Sequence, residues 1–224
     1  APVRLDKTKL LHNLRSARKG SAPGPNGLRT TYLKPVLEDE QATYNLTEVA
    51  TRLANADVPT EVTSALKLCF LTALRKGSPG ATDAHGPSSR VRGLAVGDCL
   101  RRLVSKTLAQ QFQQEFTDAV SPHQFGLAIR SGIDAAVHLV RTKTDADPTL
   151  TLTQIDGVGA FDHIHRATML QGVANLPTAH RLLPYLKMYY GAPSQYIWHD
   201  SHGQPHTVEQ GEGGEQGDSL MPAL

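Results

Sequence analysis

One stretch constrains the fold more than any other, the run from Thr149 to Asp156. Leu150, Leu152 and Gln154 fall on one side of it and Thr151, Thr153 and Ile155 on the other. That period of two predicts a strand. Asp156 ends it, Gly157 and Gly159 loosen the exit, and Asp162 is placed to cap a helix from His163 to about Asn175. A carboxylate at the C-terminal end of a strand, with glycines behind it that admit close backbone approach, is a place to hold a divalent cation. Taken alone, an Asp in this place is more often a turn or cap residue, because Asp readily satisfies nearby backbone amides.

The remaining 216 of the 224 residues supply enough chain for one domain with a true core. Hydrophobic residues are 39% and charged residues 20%, with 19 Gly and 14 Pro, which excludes a collagenous or low-complexity chain and leaves a loop-rich globular one. Aromatics are only 5%, so aliphatic side chains must build most of the interior. No window reaches the roughly 20 apolar residues of a membrane span, and Ala1-Pro-Val-Arg4 lacks a signal peptide's apolar run. The expectation is a soluble, intracellular protein, cytoplasmic or nuclear, without a membrane partner. Cys69 and Cys99 sit in apolar surroundings and read as buried thiols in a reducing compartment rather than as a disulfide.

Apolar spacing predicts a helix over 5–18, broken by Gly20-Ser-Ala-Pro-Gly-Pro-Asn-Gly27, then two or three helices over 28–67 with Pro59 at a helix start. Strands at 68–74 and 91–96 flank a Gly/Pro/Ser loop and predict a hairpin. Asp98 is placed to cap a helix running to about Phe116, and Ser131 another that carries Ile133, Ala136, Val137 and Val140. A further helix is predicted over 178–190, and a second hairpin from 196–199 and 205–208.

Net charge is only +2, but it is unevenly spread. Residues 1–36 carry eight cations against Asp6 alone, residues 66–106 carry eight against Asp83 and Asp98, and the last 25 residues hold five carboxylates with no Lys or Arg. Basic segments gathered on one surface would hold a polyphosphate, with salt-dependent affinity. Solvated helix faces are the plainer account.

Several short motifs follow one another in order: Pro23-Gly-Pro-Asn-Gly27, Lys76, Arg92-Gly-Leu-Ala-Val96 running into Leu100-Arg-Arg-Leu-Val-Ser-Lys106, Pro122-His-Gln-Phe-Gly126, Asp156 to Asp162, and Gly213-Gly-Glu-Gln-Gly-Asp-Ser-Leu220. In this succession the chain resembles the reverse transcriptase family, and is most similar to the polymerases of non-long-terminal-repeat retrotransposons. The resemblance runs over nearly the whole sequence. It implies an α/β (α+β) right-hand polymerase core fragment, with helical fingers mainly in 1–100 and an incomplete palm with an antiparallel sheet mainly in 101–224. Part of 178–210 is expected to return to the fingers.

The implied activity is template-directed addition of deoxynucleotides through two magnesium ions, with an RNA template, a DNA primer and deoxynucleoside triphosphates as partners. On this resemblance Asp156 is the catalytic, metal-binding carboxylate, joined by the backbone carbonyl of Gly157. Phe161 matches the bulky aromatic that excludes a ribose 2′-hydroxyl. Lys76 and Arg92 match the cations that meet the incoming triphosphate, with Arg75 and Arg90 near enough to exchange with them. Gln216 and Gly217, followed by Asp218, match the loop beside nucleotide and template. The chain departs from the family at Asn26 (usually Asp), Gly93 (usually Pro), Ser219 (usually Pro) and Met221 (usually small).

The family's second catalytic motif, an aromatic-x-Asp-Asp, is expected downstream of residue 224. Without an initiator Met, and stopping at Met221-Pro-Ala-Leu224, the sequence reads as a piece of a larger protein. The 224-residue polypeptide is therefore expected to lack polymerase activity and to be poorly soluble, with strand edges unpaired and apolar surface exposed. Two other classes compete: a nucleic-acid-binding module without chemistry, and a receiver domain with Asp156 as phosphoacceptor, which the helical run over 28–67 disfavours. His199-x2-His202-x3-His206 suggests zinc, but no fourth ligand lies near in sequence.

Overall fold

Asp6 starts the first helix, α1 (Lys7–Ser16), by accepting the Lys9 amide. The computed structural model describes residues 1–75, 91–157 and 159–224. A short helix, α2 (Thr30–Leu33), and a 3-10 turn over Lys34–Glu38 lead to α3 (Glu40–Ala54), capped by Asp39, and α4 (Thr60–Lys67), which begins behind Pro59. Asp98 caps α5 (Cys99–Gln111), accepting the amides of Leu100 and Arg101. The helix predicted to reach Phe116 is broken at Phe112, and α6 (Gln113–Val120) continues in a new direction.

The buried faces of these helices meet in one core. Leu10 and Leu14 of α1, Ala50 and Leu53 of α3, and Val104 and Leu108 of α5 join Leu182, Tyr185 and Leu186 there. Residues from both halves of the chain line this interior, so 1–100 and 101–224 share one core. Each fully buried Leu contributes on the order of 2 kcal/mol by apolar burial alone.

The sheet has four strands in the order β2-β1-β3-β4, with β1 at Cys69–Arg75, β2 at Val91–Val96, β3 at Ser194–His199 and β4 at Pro205–Gln210. Both hairpins predicted from the sequence are present and antiparallel, with Leu71 opposite Ala95 and Tyr196 opposite Val208. They are joined by a parallel pairing of Cys69 with Tyr196 and Phe70 with Ile197. Residues 194–210 thus join the first hairpin, and the sheet is mixed rather than antiparallel. The protein is a mixed α/β fold, and no described helix is long and apolar enough to cross a membrane.

Three expectations need correction. Thr149–Asp156 is not a strand: none of the described residues pairs with it to complete a ladder, and every residue from Thr151 to Gly157 is exposed. Ser131 does not cap α7 (Gly132–Ala146) with its side chain, because its backbone is left-handed (φ 54°), the wrong setting for the hydroxyl to reach an amide. Asp162 does not cap the next helix, since Ala160–His163 is a 3-10 turn and α8 (Arg166–Ala174) starts behind His165. The helix predicted over 178–190 is a 3-10 turn at Ala179–Leu182 running into α9 (Leu183–Tyr190).

Candidate functional site

The outer edge of β2 is where the C-terminal loop attaches. The Ala95 amide donates to the carbonyl of Gln216 at 2.8 Å, so the loop runs along β2 like a short extra strand. Gly217 is required there: its φ is +124°, and a Cβ would lie 2.6 Å from the Ala95 carbonyl oxygen. On its other side the loop is tied to the turn after Gly159, Gly213 donating to Ile164 (2.8 Å) and Gly214 to Phe161 (2.6 Å). Between these attachments lies a cleft of about 380 Å³ with Leu71, Gly93, Ala95 and Tyr196 on its floor and Asp162, Glu209 and Gln216 at its polar rim. The Gln216 side-chain amide faces the Asp162 carboxylate at 3.4 Å and 3.5 Å.

Two buried arginines hold the loop. Arg166, 4% exposed, donates to the Gly213 carbonyl, the Ala192 carbonyl and the Ser194 hydroxyl, and its own amide donates to Glu212. Arg101, 3% exposed, forms an ion pair with Glu215 at 2.5 Å, donates to the Cys69 sulfur at 3.2 Å and stacks 3.9 Å over Tyr189. Burial by itself disfavours the Arg101 charge, but Glu215, Cys69, Tyr190 and Asp218 outweigh it and keep the guanidinium firmly protonated. Burial pushes the Cys69 thiol up to about 12 against the pull of Arg101, and the Cys99 thiol up to about 11. Both cysteines are free and buried, as the sequence predicts.

The turn of the Pro-Gly-Pro-Asn-Gly motif sits against the start of α5. The Asn26 side-chain amide donates to Asp98, and a Cβ on Gly24 would lie 2.7 Å from Asp98 backbone atoms. The same Asp98 caps α5 and so fixes Arg101 in the helix's first turn.

Of the residues singled out from the sequence, Gln216 lines this cleft, Gly217 follows it against the Ala95 carbonyl, and Phe161 immediately precedes the lining residue Asp162. Phe161 is half-buried against the core, with its carbonyl bound by Gly214. Arg92 is exposed on β2 beside Gly93, and strand alternation directs it away from the face that Gly93 and Ala95 share. Lys76 and Arg90 lie outside the described residues. Asp156 and Gly157 are exposed on the extended segment before the turn, and Asp156 makes no hydrogen bond or ion pair among the described residues.

A carboxylate and a carbonyl are the hard oxygen donors magnesium prefers, but two donors on an exposed strap do not make a cage. No group of three or more His, Cys, Asp or Glu side chains among the described residues could share an ion. The residues present therefore do not by themselves fit a two-metal centre. On the β3–β4 hairpin, His206 pairs with Asp200 at 3.0 Å and lies beside Trp198, while His199 and His202 are exposed.

Sequence reasoning missed Arg101, Arg166 and Glu215. One signal was available for the first: Arg101, Val104, Ser105 and Leu108 fall at i, i+3, i+4 and i+7, so Arg101 lies on the apolar face of its helix. Compared with known proteins, the chain matches no family model and no curated protein sequence.

Proposed function

We propose that this chain is part of a template-directed nucleotide polymerase of the reverse transcriptase type, built to place nucleic acid and a nucleoside triphosphate against the β2 edge. The observation that carries the reading is the junction of Gln216–Gly217 with β2 beside the Phe161–Asp162 turn. Two segments that resemble nucleotide-contacting motifs, at Asp162 and Gln216, border a single cleft floored by β1, β2 and β3. The basic character of 1–36 and 66–106 supports a polyanionic partner. In this reading the partners are an RNA template, a DNA primer and deoxynucleoside triphosphates. Asp156 with the Gly157 carbonyl would contribute to magnesium binding together with donors outside these residues.

A labelled RNA–DNA primer–template titrated with the protein tests this. Affinity is expected to fall roughly tenfold from 50 to 200 mM salt if only two phosphates are neutralised, and more steeply with more contacts. Absence of binding at low salt overturns the reading. Primer extension with magnesium is expected to give no product from the 224-residue chain, and synthesis abolished by Asp156→Ala would overturn that expectation.

A second reading, a nucleic-acid-binding module without chemistry, is favoured by the exposed Asp156, which belongs to no group of three or more metal-ligating side chains among the described residues. Asp156→Asn would then leave both binding and its magnesium dependence unchanged.

A further inference from the structure

We propose that Arg101 is a positioning residue for the cleft: by gripping Glu215, with the Asp218 carboxylate facing it at 4.0 Å, it sets where Gln216 and Gly217 lie along β2. The consequence for ligand binding rests on the functional reading above, while the geometry does not. Glu215 and Asp218 bracket Gln216 and Gly217 in the chain, and both turn buried carboxylates toward the same guanidinium, at 2.5 Å and 4.0 Å. The two residues at the cleft are thus strung between anchors that share one cation.

Every side of that guanidinium is occupied. Glu215 takes one amino group, the Cys69 sulfur of β1 the other, and the Tyr189 ring lies beneath the plane. Two carboxylates around one arginine leave an excess negative charge in a dry setting. Tyr190 shares it, its hydroxyl donating to Asp218 at 2.7 Å. A planar fork can meet carboxylate, thiol and ring together, whereas a lysine ammonium could satisfy only some of them. Helix α5 is locked by Val104 and Leu108, both fully buried, so the guanidinium is a fixed reference point for the loop. Arg166 performs the matching task at Glu212 and Gly213, which confines the effect of Arg101 to 215–218.

Amide hydrogen exchange on the whole 224-residue chain, with Arg101→Met, Arg101→Lys and Gln216→Ala, tests the proposal. The Ala95 amide reports on the junction because it donates to the Gln216 carbonyl. In Arg101→Met it is expected to exchange about tenfold faster or more, with partial rescue in Arg101→Lys, while amides of α1 and α3 keep their rates. Gln216→Ala should leave the Ala95 amide unchanged yet weaken binding of the labelled primer–template, and Arg101→Met should weaken binding by a similar factor. Uniform acceleration of all core amides, or an Ala95 amide at its original rate, overturns the proposal. If Arg101→Met fails to fold, an unchanged Ala95 amide in Arg101→Lys overturns it instead. If the unaltered protein binds no primer–template, the functional reading fails while the Ala95 amide still decides the positioning role.

Discussion

Helices α7 and α9 both carry apolar side chains at helical spacing, α9 more densely, and end in opposite situations. In α9, Tyr185, Leu186, Met188, Tyr189 and Tyr190 are buried against α3, α8 and the C-terminal loop. In α7 only Gly132 is buried, and Ile133 stands 78% exposed. The strap that follows α7 repeats the contrast, with Ile155 89% exposed on a segment whose period of two reads as a strand. Apolar periodicity announces an element, but burial and strand pairing require a second surface, and the described residues provide one for α9 and none for α7.

The largest effect that would break this contrast is expected at the buried charge cluster. Glu215→Ala strands Arg101 in a dry interior with Asp218 only at 4.0 Å, and should cost about 3 kcal/mol in urea unfolding. A loss as small as that of a surface substitution would mean that water reaches the cluster. Next in size, Leu186→Ala should cost about 2–5 kcal/mol, whereas Ile133→Ala should stay within about 0.5 kcal/mol. Equal losses for the two would show that α7 is covered in solution, and the comparison would collapse.

Gly217→Ala should cost about 1–3 kcal/mol, because it adds a Cβ against Ala95 at a strained backbone setting. Unlike the core substitution, it should also raise exchange at the Ala95 amide. Thiol reactivity gives a smaller, local readout. With thiols pushed up to about 12 and about 11, Cys69 and Cys99 should resist iodoacetamide at neutral pH and react only on unfolding.

The smallest effect is the pH dependence of α1. Hydrogen bonds and charge from Lys9 hold the Asp6 carboxyl below its ordinary value of 3.8. Its capping contribution is therefore complete above that value and lost as pH falls through the lower folded value. Asp6→Ala should remove this acid-side slope, measurable as unfolding midpoints between pH 2 and 5, with a loss of about 1 kcal/mol or less at neutral pH.

Legibility followed the range of the forces involved. The cap at Asp98, the helix start behind Pro59 and both hairpins were readable because turn and cap chemistry is local. The parallel pairing of Cys69 with Tyr196 was not, since nothing near either residue names a partner so far along the chain. The strap at 149–156 misled for the same reason: its alternation is real, but no strand among the described residues meets it. At the cleft, motif order had singled out Gln216, which lines it, and Phe161 and Gly217, which adjoin lining residues. Arg166 went unnoticed because it begins a helix whose turn is set by Gly159 in a left-handed conformation rather than by Asp162.

The register of the sheet also has a temporal consequence. Phe70 leaves the ribosome long before Ile197, its neighbour in the sheet, has been translated. At the usual ~5–20 residues per second, that wait is roughly 6–25 s. During it, the nascent first hairpin must keep an open backbone flank toward whatever surrounds it, and chaperone demand in the cell should peak in this window.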